Sequence, residues 1–187
     1  MGYDMTHKEI FTEIYEKDMW GGGSGGGSTP ENTVAYRLIL QGFLYKYKIK
    51  TVVDFGCGDW AFSQLIDWTG INYTGVDCVE SVIRKNIEKF RGDNINFSYM
   101  TPGFGDLLIV KDVLQHWEND DDITQFLSAM MLRFKYILIT NTPDCQTHPG
   151  PFGTRPLSAT KKPLLFFTPK ILATIITSET KEVSLIQ

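Results

Sequence analysis

Val53-Asp54-Phe55-Gly56-Cys57-Gly58-Asp59-Trp60-Ala61 is the stretch that decides the fold. Thr51 to Phe55 is a short apolar run closed by glycines, which reads as a buried strand entering a tight turn. In an open α/β sheet, ligands sit outside the carboxyl ends of the strands, near the point where strand order reverses. Glycines there let the backbone approach a ligand closely, and free N–H groups beyond them favour an anion. Asp77 ends the next strand, Tyr73 to Asp77. It follows Gly58 by about 20 residues, where an acid can accept both hydroxyls of a ribose. Loop and acid together describe a pocket for an adenosine-containing ligand.

Outward from this loop, strands and helices alternate. A helix is predicted over Trp60 to Trp68 and another over Val79 to Phe90, the latter with Val82, Ile83, Ile87 and Phe90 on one side. Asn96 to Met100 and Asp106 to Lys111 read as the third and fourth strands, and Tyr136 to Thr140 as the fifth. The run DDITQFLSAMMLRF between the last two is helical. Strands separated by helices imply right-handed crossovers and a parallel sheet covered on both faces. Ala173 to Thr177 and Glu182 to Gln187 flank Ser178 to Lys181, a hairpin expected to close one sheet edge. The fold class is therefore α/β: a three-layer Rossmann-like domain on a mostly parallel seven-strand sheet, with an antiparallel last strand.

Upstream, Thr6 and Glu9 form a capping box for a helix running to about Lys17. GGGSGGGS, residues 21–28, follows it, with the composition of a flexible linker, natural or engineered. Thr29-Pro30 signals a second helix, striped by Val34, Leu38 and Phe43. The expected organisation is one domain over 1–187, with N-terminal helices and a Gly/Ser lid over 1–48 and the core over 49–187.

Composition narrows the function. The chain has 187 residues, 42% hydrophobic and 21% charged, with a net charge of −4. That balance argues against an anionic membrane or nucleic acid as partner, and basic–aromatic interleaving is missing. No apolar run is long enough to span a bilayer, and the N-terminus lacks a signal peptide's apolar core. Three scattered cysteines fit a reducing, cytoplasmic setting.

Gly56, Gly58 and Ala61 also satisfy a G-x-G-x-x-A dinucleotide pattern. Asp54 and Asp59 flank this loop, however, and their carboxylates would repel a pyrophosphate. They would welcome an ammonium and a sulfonium, so S-adenosylmethionine suits the loop better than a nicotinamide cofactor.

DFGCGDW, GVD and DVLQHW together resemble the motif series of class I S-adenosylmethionine-dependent methyltransferases, across residues 51–142. The opening FTEIYEKDMWGGGSGGGS is similar to a small microbial and viral-type group of these enzymes with an F-x-x-I-Y…W-G stretch and a Gly/Ser tract. The resemblance implies that Asp54, Gly56 and Gly58 line the methionine portion and that Asp77 holds the ribose. It places Cys78, Met100 and Thr101 around the adenine, Thr101 standing where many relatives carry an acid. It sets Lys111, Asp112 and Val113 beside the methyl group.

Methyl transfer from a sulfonium is an in-line displacement, helped chiefly by alignment. A base is needed only where the acceptor must lose a proton. His116, just past the fourth strand, is the candidate base, the competing reading being that it packs against the next helix. Asp112 is a candidate for orienting the acceptor, or else for holding its own loop. Trp20 is expected in a lid, and Arg155, in the loop after the fifth strand, is a candidate partner for an acidic acceptor group. The chain lacks a D/N-P-P-Y/F motif after the fourth strand, a nucleophile elbow and a phosphate-binding Walker loop. Its three histidines have no metal-ligand spacing. The acceptor expected is a small molecule, methylated on oxygen or nitrogen. A cofactor-binding module without catalysis and a nicotinamide-dependent reductase are the alternative functions.

Overall fold

A computed structural model describes residues 6–99, 102–148, 153–176 and 179–187. Helix α1 (His7–Glu16) begins at the Thr6 capping box, with Thr6 and Glu9 exchanging side-chain and backbone bonds. Seven strands form one sheet: β1 (Thr51–Phe55), β2 (Asn72–Val76), β3 (Ile95–Ser98), β4 (Gly105–Lys111), β5 (Phe134–Asn141), β6 (Lys170–Ile176) and β7 (Thr180–Ile186). Their order is β3-β2-β1-β4-β5-β7-β6; β1 to β5 are parallel, and β7 runs antiparallel to both β5 and β6. Strand order reverses between β1 and β4, so a ligand site is expected at their carboxyl ends.

Alternation along the central strands divides the core into two layers. Val52, Leu107 and Ile109 face one side, where α2 (Val34–Lys46) packs with Tyr36, Leu40, Phe43 and Leu44. Val53, Leu108 and Val110 face the other, against Ile123 and Leu127 of α4 (Asp120–Met131). Ile83 of α3 (Glu80–Phe90) joins the first layer. With both faces covered, β4 carries four consecutive buried apolar residues, as a central parallel strand does.

Two local expectations are corrected. The helix predicted over Trp60 to Trp68 is a single 3-10 turn, Ser63–Leu65. Trp60 takes a left-handed φ of 60° to reach Tyr73, Phe90 and Phe97. The Trp68 indole takes the Ser63 carbonyl at 2.8 Å, a carbonyl a continuing helix would need. The second helix starts at Val34 rather than at Thr29-Pro30, where Thr33 turns back onto the Thr29 carbonyl. Val34 and Leu38 are 49% and 71% exposed; only Phe43 of the predicted stripe is buried. Among the described residues no helix is long and apolar enough to cross a membrane.

Candidate functional site

A cavity of about 760 Å³ opens at the carboxyl ends of β1, β2 and β4, roofed by α1 and the Gly/Ser tract. Asp54, Gly56, Gly58, Asp77 and Cys78 line its floor, and Lys111, Asp112, His116 and Trp20 its remaining walls. Met100 and Thr101 lie outside the described residues. Arg155 does not line the cavity. Its guanidinium sits 2.6 Å from Asp120 at the start of α4, and its backbone N–H donates to the Gln115 carbonyl.

The glycine loop is held from below. Gly56 and Gly58 adopt φ of 79° and 54°, in the left-handed region that favours glycine. Asp77 Oδ2 accepts from Gly58 N–H and Oδ1 from Val79 N–H, both at 3.0 Å, so this carboxylate ties the two loops together. The backbone N–H and thiol of Cys78 approach the same carboxylate. Burial raises the Asp77 carboxyl above its usual range while the backbone donors pull it down. Asp54 is 3% exposed and accepts from the Tyr73 hydroxyl at 2.7 Å. Burial pushes its carboxyl up to about 6, against the Tyr73 hydrogen bond and the Lys111 charge.

The Gly/Ser tract is seated on this loop through Ser24. Its hydroxyl contacts Asp59 Oδ1 and the Tyr15 hydroxyl at 2.8 Å each, and accepts from Asp59 N–H at 2.9 Å. A Cβ on Gly58 would stand 2.1 Å from that hydroxyl oxygen. Gly58→Ala is therefore expected to cost at least about 1–2 kcal/mol for the left-handed backbone alone. It also unseats Ser24, so cleavage within residues 21–28 by protease is expected to accelerate. Unchanged denaturation midpoint and unchanged cleavage rate would refute this.

On the opposite wall, Asp112 carries a left-handed φ of 57° between two lysines. Lys111 Nζ reaches its Oδ2 at 2.5 Å and Lys181 Nζ its Oδ1 at 2.9 Å; these charges hold the carboxyl low despite its burial. His116 is clasped by Phe11 at 5.5 Å and Trp20 at 6.0 Å, ring centre to ring centre. Its Nδ1 lies 3.0 Å from the Gly153 carbonyl oxygen. A carbonyl only accepts, so Nδ1 carries the proton and Nε2 is the basic nitrogen. Burial lowers the imidazole pKa below its ordinary value.

Sequence reasoning missed Ser24 and Lys181. Nothing within GGGSGGGS distinguishes Ser24 from Ser28. Lys181 did have a signal: an antiparallel β7 beside β5 must begin where β5 ends, which brings the hairpin turn to the ligand end of the sheet.

No protein-family model matches the chain, nor does any curated protein sequence. Among solved structures it is similar to magnesium protoporphyrin IX methyltransferase from Synechocystis PCC 6803 with bound SAM, at 16% identity. That match covers 99% of this chain and 98% of the other, with a TM-score of 0.71. It is likewise similar to the N-methyltransferase NodS from Bradyrhizobium japonicum WM9 in complex with S-adenosyl-L-homocysteine. There the identity is 14%, the coverage 97% of each chain and the TM-score 0.66. The fold is thus the three-layer, Rossmann-like fold seen in class I methyltransferases.

Proposed function

We propose that this chain transfers a methyl group from S-adenosylmethionine to oxygen or nitrogen of a small-molecule acceptor. The observation that carries the reading is the pair of buried carboxylates, Asp54 and Asp77, flanking a two-glycine turn at the switch point of this fold. Those groups suit the cofactor's chemistry: an ammonium and ribose hydroxyls are donors, and both carboxylates line the cavity as acceptors. Asp54 would take the ammonium and Asp77 the ribose, with Gly56 and Gly58 leaving room along the backbone. When bound, the cofactor supplies an electrophilic methyl on a good leaving group.

The remaining groups belong to the acceptor. The Phe11, Trp20 and His116 rings wall off water and restrict its orientation. Nε2 of His116 would accept the proton that an acceptor hydroxyl or ammonium must lose. Asp112, neutralised by two lysines, is a positioning group rather than a base.

The experiment is calorimetric titration with S-adenosylhomocysteine across pH, where micromolar-range affinity and a rise in melting temperature are expected. Asp54 must be ionised to face an ammonium, and its carboxyl sits at about 6 in the free protein. Affinity is expected to fall as pH drops below about 6, with proton release on binding, and to level off above it. A carboxyl raised on folding contributes stability below its unfolded value and loses it as pH rises through 6. The ligand-induced thermal shift should therefore be larger at neutral pH than in acid. Asp54→Asn removes this pH dependence. No heat and no thermal shift at millimolar ligand would overturn the proposed function.

A further inference from the structure

Behind Lys111 a second, smaller chamber of about 260 Å³ adjoins the main cavity and shares Gly26, Gly27, Lys111, Glu179 and Lys181 with it. Tyr36 and Thr140, each carrying a hydroxyl, help to line it, both buried to 2% exposure or less. The two hydroxyls lie near enough to interact with one another, yet among the described residues neither meets a partner at full hydrogen-bond geometry. Buried polar atoms without partners are rare enough in folded proteins to require an explanation. Phe and Val would fill the same space as Tyr36 and Thr140 without a hydroxyl, so an apolar wall was available.

The chamber's other polar groups sharpen what it wants. Lys111 Nζ donates to the Gly27 carbonyl at 3.1 Å and to Asp112, so among the described residues one of its three N–H bonds has no oxygen partner. Its ammonium stands over the Tyr36 and Phe62 rings at 5.7 and 5.3 Å. Lys181 spends its donors on Asp112, Thr142 and Glu179. Thr33 and Asn32 are already committed to backbone carbonyls of the neighbouring turn. Glu179, the carboxylate on the wall, is engaged by Lys181 at 3.1 Å. What remains uncommitted among the described residues is a set of donors, one ammonium N–H and two hydroxyls, on residues that line a space large enough for several heavy atoms. A single water needs only about 10–15 Å³.

Resting on the methyl-transfer reading, we propose that this chamber is an oxyanion subsite that takes a carboxylate of the methyl acceptor. The chamber adjoins β4, β5 and the β6–β7 hairpin, whereas Asp54 and Asp77 belong to the ends of β1 and β2, so the two sites serve different molecules. A carboxylate accepts from all three donors at once and sits beside an ammonium whose counter-charge, Asp112, is shared with Lys181.

The test is an amide NMR titration of the full chain with sodium acetate, at ionic strength fixed with sodium chloride and with acetamide as the neutral isostere. It is run with and without saturating S-adenosylhomocysteine. Saturable shifts are expected at Gly27, Lys111 and Thr140 with acetate, and none with acetamide or chloride. The double variant Tyr36→Phe, Thr140→Val keeps the packing and removes only unpartnered hydroxyls, so it is expected to fold at least as well. Its acetate affinity is expected to be at least tenfold weaker, with S-adenosylhomocysteine affinity unchanged. Acetate moving no amides, acetamide binding as well as acetate, or the double variant binding acetate like the parent would each overturn the subsite. A matching loss of S-adenosylhomocysteine affinity would overturn it too, by assigning the chamber to the cofactor. Failure of S-adenosylhomocysteine to bind the parent chain would sink the methyl-transfer reading instead, while the acetate arm without it still reads the chamber.

Discussion

His116→Asn is expected to lower turnover by about 10²–10⁴-fold while leaving S-adenosylhomocysteine affinity nearly unchanged. The geometry behind this is specific: Nδ1 donates to Gly153, so Nε2 is the free base, and Phe11 and Trp20 hold the ring against the cavity. Asparagine can keep the bond to Gly153 but has no basic nitrogen. Burial lowers the imidazole pKa, so His116 is neutral and ready to accept a proton at pH 7. The acid limb of the rate profile is accordingly expected below pH 6.5, the ordinary value, with a plateau through neutrality. Measured at saturating cofactor, this limb is separated from the binding effect of Asp54, and the variant should lack it. The same lowered pKa means that folding favours the neutral ring, so protonation in acid costs stability. A purely structural histidine gives a different result: a lower melting temperature with turnover per folded molecule preserved.

How far the sequence alone carries depends on the kind of signal each element leaves. The five parallel strands and the closing hairpin were legible because each is a short apolar run with turn residues at its ends. The position of Gly56, Gly58 and Asp77 at the strand ends was legible: both glycines take a left-handed φ there, and all three line the cavity. The segment from Trp60 to Trp68 failed for the opposite reason. Its apolar residues Phe62, Leu65 and Ile66 have a helical spacing, but Trp60 anchors the segment into the core from a left-handed turn, and tertiary packing overrode the periodicity. The second helix misled similarly, since Tyr36-Leu40-Phe43-Leu44 and Val34-Leu38 are both helical stripes, and only the sheet decides which is buried. The lysine pair around Asp112 joins residues 69 positions apart, and no local pattern reports that. Arg155, a candidate partner for an acidic acceptor group, pairs instead with Asp120 in the first turn of α4, 35 positions away in the chain, which no local pattern reports.

Asp77→Ala is expected to weaken S-adenosylhomocysteine binding by about 2–4 kcal/mol, the loss of a charged acceptor for two hydroxyls. The structure adds a complication that the experiment must separate. Asp77 already accepts from Gly58 and Val79 N–H groups, so removing it also loosens the glycine loop itself. The melting temperature of the ligand-free variant reads that second effect, and a modest fall is expected there. The ribose contact is isolated by repeating both titrations with a deoxyribose analogue of the ligand. In the parent chain the missing hydroxyl leaves an Asp77 oxygen with one donor fewer, and affinity should drop. In the variant there is no carboxylate to notice the change, so the analogue and the full ligand should bind almost alike. Equal losses in both proteins would mean that Asp77 shapes the loop without touching the ribose, and the ammonium-side carboxylate, Asp54, would be left to carry cofactor recognition.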